Sequence, residues 1–130
     1  MPFDVQVDAD HARCTVRGYG QFDFKQAADA LIAVTRDSRF VPGMALHLDV
    51  RKMEFVPTPD ESWKLALTLR SLRKTLTGKV AVSVSAPLHY GVARVISTYA
   101  AVGGIRMKPF LQEHEAIEWL TAHDPGDAGE

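Results

Sequence analysis

Cysteine is almost missing from this chain: Cys14 is the single one among 130 residues, so no internal disulfide can form. A lone cysteine with no signal-peptide pattern ahead of it sets the expectation of a reducing cytoplasm. Apolar residues never collect into the ~18 consecutive positions that a membrane span requires, which argues against insertion into a bilayer. An excess of either charge is lacking too. Fifteen Lys plus Arg face sixteen Asp plus Glu, a formal net charge of -1, and this offers no general attraction for nucleic acid or anionic lipid. Phosphate-cradling loops are absent as well, because Gly18-Tyr19-Gly20 lacks a third glycine and the following Asp23 repels phosphate. Acid is missing in one place that matters: none occurs between Glu61 and Glu113, which leaves Lys64, Arg70, Arg73, Lys74 and Lys79 locally uncompensated. A solvated helix face is the plain explanation of such a run. The functional one is a docking face for an acidic partner built from Lys64, Arg70, Arg73 and Lys74.

What the chain does have is enough apolar residue, 46%, for one ordinary core of this size without metal or disulfide. Phe3, Val5 and Val7, then Cys14 and Val16, alternate with polar residues, so two half-buried strands are expected with a polar turn at Asp8-Ala9-Asp10-His11. Asp23 followed by Gln26 reads as a capping box that opens a helix carrying Phe24, Ala27, Ala28, Leu31 and Val34. Met44 to Val50 is a buried strand. Thr58-Pro59-Asp60-Glu61 combines an N-cap, a proline at the first helical position and a reciprocal glutamate. Leu65, Leu69, Leu72 and Leu76 then mark the inner face of a helix that Gly78 is expected to end. Val80 to Ser85 is another strand, and Pro87 starts a helix with Val92, Val95, Ile96 and Tyr99 facing inward. Ile105 to Leu111, interrupted by Pro109, suits an edge strand, and Glu113 to Thr121 a last short helix. Trp63 and Trp119 fall near inward positions and are expected to pack.

The expected architecture is therefore α/β: a mixed, mostly parallel sheet of about five strands in the order β-β-α-β-α-β-α-β-α. It occupies residues 1–123 as a single domain, with 124–130 expected to be a disordered tail.

Five segments stand out in order along the chain: Gly20-Gln21-Phe22-Asp23, Arg39-Phe40-Val41-Pro42-Gly43, Leu48-Asp49-Val50, Tyr90-Gly91-Val92-Ala93-Arg94 and Glu115-Ala116-Ile117-Glu118-Trp119-Leu120. With them the chain resembles the STAS domain, best known from bacterial anti-sigma-factor antagonists, and a looser group of small bacterial proteins allied to CRAL-TRIO-like lipid binders. In the antagonists a phosphorylatable serine follows the central strand, and counting from Asp49 brings Thr58 to that column. Pro57 stands where the family has an aspartate and Pro59 where the turn continues, so Thr58 is expected to serve mainly as a helix cap. The looser group brings no activity with it.

In open α/β sheets the ligand crevice lies outside the carboxyl ends of the parallel strands. Asp49, Arg51, Ser85, His89, Tyr90 and Arg94 belong there. Ser85, His89 and Asp49 are triad residue types, but Ser85 lacks a nucleophile elbow and His89 lies only four residues away, so no catalysis is expected. His47-x-Asp49 puts two potential metal ligands on one strand face, and two ligands are not a site; His47 is expected to be a neutral core histidine. His11, His114 and His123 sit in polar surroundings and are expected at the surface, whereas Cys14 alternates inward as a small hydrophobe. No metal or cofactor is expected. The sequence thus suggests a non-enzymatic regulatory or protein-interaction module with a protein partner, and a homodimer stays open. A carrier or sensor for a small apolar or lipid-like ligand, held beneath the third helix, is the alternative.

Overall fold

A computed structural model describes residues 3–122. His123 and the expected tail 124–130 lie outside the described residues. The elements are β1 (Phe3–Asp8), β2 (Arg13–Gly20), α1 (Phe24–Arg36), β3 (Ala45–Met53), α2 (Pro59–Ser71), β4 (Lys79–Ser83), α3 (Pro87–Val102), β5 (Arg106–Phe110) and α4 (Glu113–Thr121). They form one five-stranded sheet in the spatial order β1-β2-β3-β4-β5. β1 runs antiparallel to β2, and every later pair is parallel. The α/β architecture and element order match the sequence expectation.

Strand order and chain order coincide, and this has a consequence for layering. Right-handed crossovers that always step the same way along a sheet stack their helices on one face. α1, α2 and α3 accordingly share one core with Cys14, Val16, Leu46 and Val80, while α4 alone packs on the opposite face through Ala116 and Leu120 against Ala81. The hairpin between β1 and β2 closes through a 3-10 turn, Ala9–His11, whose cap Asp8 accepts from the His11 backbone.

Both helices with predicted capping boxes have them. The Asp23 carboxylate accepts from the Gln26 N–H at 2.8 Å while the Gln26 side chain accepts from the Asp23 N–H at 3.0 Å. Thr58 Oγ1 accepts from the Glu61 N–H at 3.1 Å, and Glu61 returns the bond at 2.9 Å.

Several details differ from expectation. β4 stops at Ser83 rather than Ser85, which leaves Ser85 in the loop that follows. β3 continues past Val50 to Met53, because Lys52 and Met53 pair with Tyr19 and Gly20 of β2 beyond a register shift. α2 ends at Ser71, and the chain proceeds through irregular turns in which Leu76 is still buried. Past Ser71 the amides of Leu72 and Arg73 bond three residues back, to the Leu69 and Arg70 carbonyls, which ends the α-helical ladder; further on, Gly78 passes so close to the loop before β3 that a Cβ there would sit 2.6 Å from the Gly43 carbonyl oxygen. The inner face of α3 is also rotated. Ala93, Ile96, Ser97 and Ala100 are buried, whereas Val95 and Tyr99 are exposed. Small side chains let α3 lie close to its neighbours, and the larger ones are turned outward.

The Thr58 box generates a direct test. Thr58→Ala should destabilise the fold by about 0.5–2 kcal/mol in urea denaturation, the usual cost of a lost cap, and Thr58→Ser should change little. An unchanged midpoint for Thr58→Ala would show that α2 does not depend on this cap.

Candidate functional site

The two faces of the sheet differ chemically because side chains alternate along each strand. On β3, Leu48 and Val50 face the three-helix layer, while His47, Asp49 and Arg51 face the α4 side. The expected crevice residues are consequently divided between the two faces.

On the α4 side a polar cluster forms. His47, 1% exposed, has its Nε2 2.8 Å from the Ser83 hydroxyl, itself fully buried. Burial pushes the His47 ring below its ordinary 6.5, against the pull of the Asp49 and Glu113 charges. It is a neutral core histidine. Asp49 accepts two hydrogen bonds of 2.9 Å from the Arg51 guanidinium, and the Arg17 guanidinium lies 3.7 Å away. Burial raises the Asp49 carboxyl, but the bonds and charge from Arg51 outweigh it and hold it below the ordinary 3.8. Arg51 also donates to Glu113 at the start of α4, and its carbonyl accepts from the Ser85 hydroxyl at 2.8 Å.

Asp49, Arg51 and Ser85 therefore meet, joined by Arg17 and Glu113, which sequence reasoning did not connect to them. The alternation of Arg13, Thr15 and Arg17 along β2 carried a signal for the first; Glu113, 62 residues from Arg51, carried none. The cluster ties β2, β3, the loop after β4 and the N-terminus of α4 together. Ser85 and His89 do not meet: His89 bonds the Phe55 carbonyl instead.

His89 lies on the other face, where it lines a cavity of about 120 Å³ between the sheet and α1, α2 and α3. Leu48, Val82 and Met107 form part of its floor; Leu31, Leu69 and Val92 contribute from the helices. Leu48 is only half-buried because it faces this space, although the apolar pattern alone suggests a fully packed core residue. Tyr90 packs on the Val82, Val84 and Ala93 cluster. Arg94 is exposed.

The outer side of α2 and α3 forms a third region. Trp63, 41% exposed rather than packed inward, meets Tyr99 edge-on with ring centroids 5.1 Å apart. Leu67 on α2, and Leu88 (63%), Val95 and Val102 (77%) on α3, are exposed too. Trp119 differs from Trp63: it is half-buried, against Phe110 and the Lys79 ammonium. Of the expected basic face, Lys64 pairs with Asp60 at 3.0 Å. The Arg70 side chain lies across Gly103. Arg73, beyond the end of α2, donates to the Arg70 carbonyl, and Lys74 is exposed on the same turn.

Cys14 is buried and its thiol is pushed up to about 11, chiefly by burial and then by the Asp37 charge; it is protonated and shielded from reagents. Among the described residues no group of three His, Cys, Asp or Glu is placed to hold a metal, and no helix is long and apolar enough to cross a membrane.

No family model matches the sequence, and no curated protein matches it. The fold is similar to that of an uncharacterized DUF3478-family protein with a SpoIIAA-like fold from Shewanella loihica PV-4. The TM-score is 0.59 at 16% identity, over 91% of each chain. The chain thus has a SpoIIAA-like (STAS) fold, in agreement with the resemblance carried by its sequence motifs.

The burial of His47 makes stability depend on pH with a definite sign. The unfolded chain protonates this histidine near 6.5 and the folded chain only below that, so in between the unfolded state binds more protons and stability rises with pH. On acidification from about pH 7 to about pH 5, the wild-type protein should lose stability relative to His47→Gln. The measurement is the difference in denaturation free energy across that interval; a pH-independent difference would mean that His47 does not resist protonation.

Proposed function

We propose that this chain is a non-enzymatic, SpoIIAA-like protein-interaction module of a bacterial cytoplasm, which docks a partner protein on the outer face of α2 and α3. One observation carries this reading: the row of exposed apolar side chains that runs from Trp63 and Leu67 to Val95, Tyr99 and Val102. Large apolar groups gathered on one solvent face mark interaction surfaces in soluble proteins. The charge around them indicates the partner's chemistry. Lys64, Arg70, Arg73, Lys74 and Arg94 lie on the same helices and turn; Lys64 is paired with Asp60, and no acid occurs from residue 62 to 112 alongside the others. An acidic, apolar-faced protein segment complements both features; nucleic acid does not need the apolar row, and nothing in the reading requires insertion into a membrane. The polar cluster around Asp49 is structural in this account, since its charged groups engage one another.

A second reading has its own observation. The cavity of about 120 Å³ is lined almost wholly by apolar side chains, which suits a carrier or sensor of a small apolar ligand. Native mass spectrometry of the purified protein separates the two, because a carrier often retains its ligand.

The docking reading is tested by placing a photo-crosslinking residue at Leu67, with Asp4 as a control on another part of the surface, and by identifying and purifying the protein captured only from Leu67. Its affinity should fall at least about tenfold for the double variant Lys64→Glu/Arg73→Glu, and similarly for Leu67→Asp, with unchanged circular dichroism. Affinity that survives both variants removes this face from the function.

A further inference from the structure

The cavity beneath α3 carries a more specific chemistry than its apolar lining alone suggests. Its volume, about 120 Å³, is below the ~300–1,000 Å³ of sites for drug-sized ligands and close to the ~150 Å³ of an apolar protein cavity that binds benzene. One ring fills it. Among the described lining residues, His89 is the one whose side chain has a nitrogen or oxygen for hydrogen bonding.

The state of that histidine follows from its neighbour. His89 Nε2 lies 3.2 Å from the Phe55 carbonyl oxygen. A carbonyl oxygen can only accept, so Nε2 carries the hydrogen, and in the uncharged ring Nδ1 is left as an acceptor. The bond to Phe55 also holds the imidazole against the loop that leads into α2, so its orientation is set before any ligand arrives.

We propose that this cavity binds a small, uncharged, single-ring molecule bearing one hydroxyl or N–H donor, with the ring against Leu48, Val92 and Met107 and the donor on His89 Nδ1. Phenols and anilines belong to this class. The inference rests on the carrier reading and narrows it, because a long acyl chain exceeds a cavity of about 120 Å³ and a charged headgroup meets no countercharge among the lining residues.

The test is calorimetric titration of the whole chain with p-cresol, toluene and 1-decanol, together with methyl chemical-shift mapping. p-Cresol should bind about tenfold more tightly than toluene, the ratio expected of one added hydrogen bond. That preference should vanish in His89→Phe, and the shifts should centre on Leu48, Val92 and Met107. Equal affinities for p-cresol and toluene in the wild-type protein, or shifts centred on Trp63 and Tyr99, overturn the proposal. If His89→Phe does not fold, the wild-type comparison and its shift map decide alone. Binding of 1-decanol without either aromatic ring overturns the ligand class and leaves the carrier reading standing; binding of none of the three overturns both.

Discussion

β3 is the strand on which the rest of this molecule depends, because it is paired on both sides and carries two chemistries in alternation. Leu46, Leu48 and Val50 belong to an apolar face, while His47, Asp49 and Arg51 point to the α4 face. A shift of one residue in its register would exchange these sets and drive a carboxylate into the three-helix core. The hydrogen bond between His47 and Ser83 and the Asp49–Arg51 pair are therefore tied to register as well as to local satisfaction. Asp49 is buried whereas Arg51 is partly exposed, so removing Arg51 would leave a buried carboxylate without its main partner, which is the costly change.

With the register set, the one-way winding of the chain determines where function can reside. All three crossover helices lie over the apolar face, so there is no point at which successive connections diverge to opposite sides of the parallel strands. The ligand crevice expected of doubly wound sheets depends on such a point, and the residues assigned to it are separated: Asp49 and Arg51 on one face, His89 on the other. α2 and α3 then present two surfaces. Their inner sides roof the cavity through Leu69 and Val92, and their outer sides carry Trp63, Leu67 and Tyr99. A molecule held inside and a partner held outside would press on the same pair of helices, which gives the fold a physical route for coupling the two.

Much of this was legible in the sequence. Period-two alternation located β1 and β2, the two reciprocal boxes located the starts of α1 and α2, and His47 among apolar neighbours read as a neutral core residue. All of these depend on neighbours within a few positions. The parts that were not legible depend on distant ones. The Arg51–Glu113 bond and the approach of Gly78 to Gly43 involve segments far apart in the chain. The rotation of α3 reflects a preference for small residues at a close contact, where Ala93, Ser97 and Ala100 take the inner positions from Val95 and Tyr99. Apolar periodicity favours the larger side chains and so misplaces that face. The cavity is invisible for a related reason: the pattern identifies which residues point inward, and only the packing determines whether they meet.

In the proposed function the sheet is a rigid support, and the α2–α3 pair, resting over the cavity, is the element that binds. Amide hydrogen exchange on the free protein tests this most directly, since it reports local opening residue by residue. The N–H groups of Leu46, His47 and Leu48 should exchange only through global unfolding, and those in the middle of α2 and α3 on the order of tenfold or more faster through local opening. Protection in α2 and α3 equal to that of β3 would contradict the account, because the helices would then be as fixed as the sheet beneath them.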